Sequence, residues 1–242
     1  MSAKIGLARP LPVYCGIHDS NASLLPHLGR HEAPFAVVST GTWVVTFAVG
    51  GDLGHLDSKR DTLANVDALG RAVPSARFMG GREFELLTRG QGTATPEAIN
   101  RVVEERIFMT PSVVPGCGPF PDAEHRVVNA SNSLNADETY VAASLYAALM
   151  TKACLDLTRA AGPIILEGPF ARNALYAESL SKAIGRSVIA VSSSTGTSVG
   201  AALLAIGSSA PSSPQEGREA YAHQLPDSFQ QYCAEWNQCV GC

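Results

Sequence analysis

One carboxylate and one hydroxyl-rich turn carry most of the chemistry legible in this chain. Asp19 follows the apolar approach Val13-Tyr-Cys-Gly-Ile17 and His18, and it opens a run of small residues, Ser20 to Ser23. Further on, the β-branched run Phe35 to Val38 ends in Ser39-Thr-Gly-Thr42, and a second apolar run begins at Trp43. A free carboxylate can take the proton of a hydroxyl as that hydroxyl attacks phosphorus. A turn of serine, threonine and glycine offers backbone N–H groups and hydroxyl donors, and its glycine lets an anion approach the main chain. Each feature also has an ordinary reading. Asp19 fits an Asx-turn or a helix N-cap before Ala22-Ser-Leu-Leu25, and Ser, Thr and Gly are common turn residues.

The same tetrapeptide recurs at Ser194 to Thr197, where the small-residue run from Ser198 to Ile206 reads as a helix starting at once. A helix N-terminus adds positive potential to such a turn. A third strand-to-helix junction is Glu167-Gly-Pro-Phe-Ala-Arg-Asn173. Gly168 would let a flat ring reach the backbone, and Asn173 would either cap the helix or bond a base. Ligands of α/β sheets sit beyond the carboxyl ends of strands, which is where such junctions lie. Gly80-Gly81 precedes another helical stretch, in which Arg82, Glu83 and Glu85 read as a solvated face. His18 has no further His, Asp or Glu at ligand spacing and reads as structural. No G-x-S-x-G elbow supports a hydrolase built on His18 and Asp19.

The elements that would hold these residues follow from periodicity and punctuation. Strands are expected over 13–17, 35–39, 43–49 and 63–69, the second and third forming a hairpin. Gly80-Gly81 leads into a helix to Leu87. Thr95-Pro-Glu97 is an N-cap with proline at the first helical position, opening a helix to about Arg106. Residues 110–135, rich in proline and glycine, form a long irregular connection with one short strand. The clearest helix runs from Ala136 to Ala161, capped by Asn135 or Asp137 and stopped by Gly162-Pro163. A buried strand at 163–166, a helix at 173–184 and a strand at 187–191 complete a crossover unit. The stretch 208–215 is a Ser/Pro linker, and a weak helix broken at Pro226 spans about 219–238. An antiparallel meander followed by crossover units gives an α/β fold, a mixed sheet with helices on both faces.

Composition narrows the classes. The 242 residues carry a net charge of -4, which leaves no basic footprint for nucleic acid. No apolar run reaches the roughly 18 residues of a membrane span, and the N-terminus has no signal-like core, so a cytoplasmic protein is expected. Six cysteines are irregularly spaced; Cys239 and Cys242 form a lone CxxC with no second pair, so no metal site is expected.

From about Leu11 to Ile206 the motifs, in their order, resemble the C-terminal half of the FGGY carbohydrate kinases. The resemblance implies a ribonuclease-H-like, actin-like ATPase fold and ATP-dependent phosphorylation of a sugar hydroxyl, with ATP and Mg²⁺. It implies that Asp19 is the catalytic base, that Gly41 and Thr42 contact phosphate, that Gly81 and Glu85 lie near the nucleotide, and that Gly168 and Asn173 hold the nucleoside. The His-Asp-Ser and Gly-Thr-Trp styles are most similar to the L-rhamnulose and L-fuculose kinases. Pro169 stands where many relatives have a second glycine. No Asp-x-Gly-Thr phosphate motif is present, so the resemblance implies residues 1–30 as a remnant of the first domain, 31–207 as the C-terminal nucleotide domain, and 208–242 as linker and tail. The chain would then act on a small sugar, with a second copy or a separate N-terminal half as partner, and be weakly active or inactive alone. The alternative is a non-catalytic nucleotide-binding or dimerising module.

Overall fold

β1 (Phe35–Thr40) and β2 (Val44–Val49) pair antiparallel around the Gly41-Thr-Trp43 turn, as the two β-branched runs lead one to expect. This hairpin is the middle of the sheet in the computed structural model, which describes residues 6, 12–191, 196–206, 217–219 and 225–241. β3 (Thr62–Val66) and β4 (Ala72–Phe78) add a second hairpin beside β2. On the other side β7 (Ile164–Glu167) and β8 (Val188–Val191) run parallel to β1, and β9 (Gly217–Glu219) closes that edge antiparallel. The sheet order is β3-β4-β2-β1-β7-β8-β9; the short strands β5 (Phe108–Met109) and β6 (Val127–Val128) form a separate ladder.

Strand alternation divides the core in two. Ala36 and Val38 of β1 face a large cluster with Val44, Phe78, Ile164 and Leu166. Phe35 and Val37 face a smaller one with Phe47, Ile165 and Leu24. The large cluster is built on α4 (Ala136–Leu157), whose first turn is held by a reciprocal capping box between Asn135 and Glu138. Of the two capping candidates, Asn135 is the one used. α2 (Gly80–Thr88), α3 (Pro96–Glu104) and α5 (Ala174–Ile184) border it, and Thr95 caps α3 by accepting from the Ala98 N–H at 3.3 Å. α1 (Asp19–Leu28) and α6 (Gly196–Ile206) pack on each other at the opposite face. Pro26 lacks the N–H that would bond the Ala22 carbonyl. Gly200 of α6 fits there so closely that a Cβ on it would lie 1.7 Å from the Ala22 oxygen.

Four expectations need correction. Residues 13–17 join no ladder and are exposed, Val13 by 83%; an apolar run becomes a strand only where an edge is free to pair, and β3 does not pair with it. The expected strand 63–69 ends at Val66, and β4 follows. Pro74 hides β4 from a sequence reading. It is tolerated because the β2 ladder begins only at Ser75, leaving Pro74 opposite Ala64 of β3 alone. The C-terminal helix starts after Pro226: α7 (Phe229–Val240) is anchored by Trp236, whose Nε1–H donates to the Met109 carbonyl at 2.9 Å, and by Tyr232, whose hydroxyl donates to the Ile107 carbonyl. Glu83 is buried, not solvated. The Ser/Pro linker and Cys242 lie outside the described residues. Cys154 and Cys233 are buried, and burial pushes the Cys233 thiol up to about 12. Among the described residues no helix is long and apolar enough to cross a membrane.

Candidate active site

β1 and β7 are parallel, so Thr40 and Glu167 end at the same edge of the sheet, and each is followed by a loop. Thr40 joins the two loops. Its buried hydroxyl donates to the Glu167 carbonyl at 2.6 Å and accepts from the Phe170 N–H at 3.1 Å. Gly168, at φ +85°, passes so close that a Cβ would sit 1.9 Å from the Thr40 carbonyl oxygen. Only glycine meets both the left-handed backbone and the contact.

The β1–β2 turn is clasped by α2. The Arg82 N–H donates to the Thr42 carbonyl at 3.2 Å, and a Cβ on Gly81 would lie 1.9 Å from the Gly41 oxygen. Trp43 is covered by the Arg77 guanidinium, 4.8 Å from the ring centroid, and Arg77 is held by Asp61 at 3.2 Å. The turn offers fewer free donors than its composition implies, because the Gly41 N–H is taken by the Trp43 carbonyl at 2.8 Å. The exposed Thr42 keeps its N–H and hydroxyl unengaged among the described residues.

These loops enclose a cavity of about 500 Å³. Gly41 and Thr42 line one side, Gly81, Arg82 and Glu85 the α2 side, and the 169–173 loop the third. Phe84, Tyr140 and Phe170 form an aromatic wall, with Phe84 edge-on to both others at 5.4 and 5.3 Å between centroids. Arg82 and Glu85 pair at 2.9 Å on the exposed rim. The exposed Arg172 has no ion-pair or hydrogen-bond partner among the described residues. Burial pushes the Tyr140 hydroxyl up, so it stays protonated at neutral pH.

Five of the six residues expected at a nucleotide therefore line one cavity: Gly41, Thr42, Gly81, Glu85 and Asn173; Gly168 lies just behind it, shaping the loop. Asn173 caps α5. Its Oδ1 accepts from the Tyr176 N–H at 3.0 Å and its Nδ2 donates to Ser144 at 2.9 Å. Glu167 turns away from the cavity, to a buried hydrogen-bonded pair with His27 of α1 at 3.1 Å, and Gly196 at the start of α6 closes over it. Ser194 and Thr195 lie outside the described residues.

Asp19 does not line the cavity. It is the first residue of α1, 76% exposed, and its Oδ1 accepts from the Ser20 N–H at 2.7 Å and contacts His18 Nδ1 at 2.8 Å. One turn later the Ser23 hydroxyl donates to Ser39 at 3.2 Å, which puts the start of α1 beside the end of β1. His18 is thus a neighbour of the carboxylate. Among the described residues no group of three or more His, Cys, Asp or Glu could hold a metal ion.

The aromatic wall and Arg172 escaped the sequence reading of the site. Phe84 and Tyr140 occupy helical positions that pattern alone assigns to core; Phe170 and Arg172 were inside the junction singled out, but nothing in their spacing marks them.

Comparison with known proteins identifies the fold and the family. No curated protein matches the chain. A carbohydrate kinase from Novosphingobium aromaticivorans superposes with a TM-score of 0.81 at 30% identity, over 99% of this chain and 54% of that one. A xylulose kinase from Rhodospirillum rubrum matches at 0.65 and 18% identity, over 99% of this chain and 52% of that one. A Plasmodium falciparum glycerol kinase solved with ADP matches at 0.64 and 13%, over 92% and 49%. The chain spans about half the length of these structures, and the fold is the actin-like ATPase fold. Residues 32–215 match the model of the C-terminal domain of carbohydrate kinase FGGY. The chain belongs to the FGGY carbohydrate kinase family.

Proposed function

We propose that this chain supplies the nucleotide-binding part of an ATP-dependent sugar kinase, together with its catalytic base. The observation that carries the reading is the convergence of the Gly41–Thr42 turn, Gly81 at the start of α2 and the 169–173 loop on one cavity at the C-terminal ends of β1 and β7. The aromatic wall suits a base, Arg172 and Thr42 suit phosphate, and the cavity has the size of a small-molecule site. Mg²⁺ would enter with the triphosphate, held mainly by its phosphate oxygens.

In this reading Asp19 accepts the proton of the sugar hydroxyl as it attacks the terminal phosphorus. The free N–H and hydroxyl of Thr42 stabilise charge on the transferred group, and catalysis is mostly positioning and electrostatics. The position of Asp19, solvent-facing beside the end of β1, suits a base that works across a cleft shared with another domain. Residues 1–30, including Asp19, would belong to that first domain, and 31–207 to the nucleotide domain. The acceptor is a small sugar, and the His-Asp-Ser and Gly-Thr-Trp motifs favour a ketose of the L-rhamnulose or L-fuculose type. A second reading, a nucleotide-binding module without turnover, is favoured by the exposure of Asp19.

Calorimetric titration with MgATP, combined with sugar-dependent ADP release, separates these. MgATP binding with turnover that Asp19→Asn abolishes supports the kinase. Binding without turnover supports the module. A folded chain that binds no nucleotide refutes both.

A further inference from the structure

We infer that His27 and Glu167 form a positioning pair, which fixes α1, with Asp19 at its start, against the loop that walls the cavity. This rests on the reading of the cavity as a nucleotide site and of Asp19 as the base. Glu167 is the last residue of β7. Strand alternation gives its side chain the same face as Ile165, which packs with Leu24 of α1. Its main chain belongs to the cavity side. The Glu167 carbonyl accepts from the Thr40 hydroxyl, and Gly168 follows at once, opening the 169–173 loop. One residue thus has its backbone at the root of the nucleotide loop and its carboxylate under the helix that bears the base.

His27 stands in the last turn of α1 and meets that carboxylate through Nε2 at 3.1 Å. The two side chains are 3% and 6% exposed. A carboxylate buried this deeply depends on its protein partners, because solvent cannot replace one that is lost. Other contacts seat the first half of the helix. The Ser23 hydroxyl donates to Ser39 at the end of β1, and Gly200 of α6 lies against the Ala22 carbonyl. His27 ties the last turn to β7, one residue before the loop. From Asp19 to His27 the helix rises about 12 Å, so a tilt at the last turn is carried along the helix to the base. A misplacement of about 1 Å in a reacting group can slow a positioned reaction on the order of 10²-fold. Neither His27 nor Glu167 lines the cavity, so the pair acts on the base and the loop through their relative placement.

The test uses MnATP, whose paramagnetic ion broadens nearby amide resonances steeply with distance, on the ¹⁵N-labelled chain. His27→Leu keeps bulk and removes the bond; His27→Gln offers an amide near the position of Nε2. We expect His27→Leu to change the broadening of the Ser20–Ser23 amides by about 1.5-fold or more, which a shift near 1 Å produces. We expect its MgATP affinity to stay within about twofold of the parent, and His27→Gln to restore the parent pattern. If His27→Leu does not fold, His27→Asn, whose shorter amide stops short of Glu167, takes its place under the same expectation. A lower melting temperature with unchanged broadening assigns the pair to stability alone and overturns the inference. So does a His27→Gln variant that fails to restore the pattern, or a loss of MgATP affinity of about tenfold or more, which moves the pair's effect into the pocket. Each of these leaves the nucleotide reading intact. Failure of the parent to bind MnATP overturns the nucleotide reading, and this inference with it.

Discussion

Replacing Gly81 by alanine asks whether the candidate site is assembled as described. A Cβ at this position would lie 1.9 Å from the Gly41 oxygen, 2.9 Å from its carbonyl carbon and 3.3 Å from the Thr42 Cα. All three are backbone atoms of a tight turn, so no side chain can swing aside. The β1–β2 turn and the start of α2 must part, which also breaks the bond from the Arg82 N–H to the Thr42 carbonyl. Overpacking of this sort costs about 1–3 kcal/mol, and the lost hydrogen bond about 0.5–1.5 kcal/mol. Alanine returns up to about 1 kcal/mol of helix propensity over glycine. The net is a destabilisation of roughly 1–3 kcal/mol, which lowers the melting temperature by roughly 3–10 °C for a chain of this size. Circular dichroism melting measures it, with Gly29→Ala as control: Gly29 is at an ordinary helical φ of -91° and a Cβ there would meet nothing within 4 Å. Because Gly41 and Gly81 both line the cavity, affinity for MgATP should also fall in Gly81→Ala and stay constant in Gly29→Ala. If Gly81→Ala melts within 1 °C of the parent, a margin of about 0.3–0.5 kcal/mol, and binds MgATP equally well, the turn and the helix are not in contact and the cavity does not exist in the form described.

Asp19→Asn should lower sugar-dependent ADP release by about 10²- to 10⁴-fold, with the MgATP dissociation constant changed less than about twofold, since the side chain lies outside the cavity; turnover kinetics and calorimetry check the split. Thr40→Val keeps the shape but leaves the Glu167 carbonyl and the Phe170 N–H without their partner, so we expect a loss of about 2–4 kcal/mol that Thr40→Ser largely restores, read from denaturant midpoints. Asn173→Ala removes the α5 cap and the bond to Ser144, a loss of about 1–3 kcal/mol, whereas Asn173→Asp keeps the cap and should fall between. Burial raises the pKa of Glu83, against the opposing effect of hydrogen bonds from Tyr146 and the Val114 N–H. A raised folded value means the native state binds a proton the unfolded chain has begun to lose, so stability falls as pH climbs from about 4.5 through the folded value and then levels. Thermal melts of the parent and Glu83→Gln across pH 4.5–8 should therefore differ most in slope in that window, the variant lacking the decline.

Local signals survived folding where tertiary contacts agreed with them. Thr95-Pro96, Asn135 with Glu138, and Gly185 stop or start helices through bonds within a few residues, so their sequence carries the outcome. The β1–β2 hairpin was legible because both its strands are central and apolar on both faces. Signals failed where a distant partner decided. β4 is a strand although it contains Pro74, because β2 stops pairing one residue short of it. Glu83 is buried although its neighbours Arg82 and Glu85 are solvated, because the Tyr146 hydroxyl from α4 and the Val114 N–H meet its two oxygens.

The site divides along the same line. Its glycines were legible because each stands where a backbone must be approached closely, and the structure shows what approaches: Gly41 against Gly81, Gly168 against Thr40. Its aromatic wall was not legible, since Phe84 and Tyr140 come from helices about fifty residues apart and meet only through the packing of α2 on α4. Asn173 shows why motif and role must be kept apart. The residue sits in the cavity wall where a base contact was expected, yet both ends of its amide hold the protein together. Those two bonds fix the position of the loop that walls this side of the cavity.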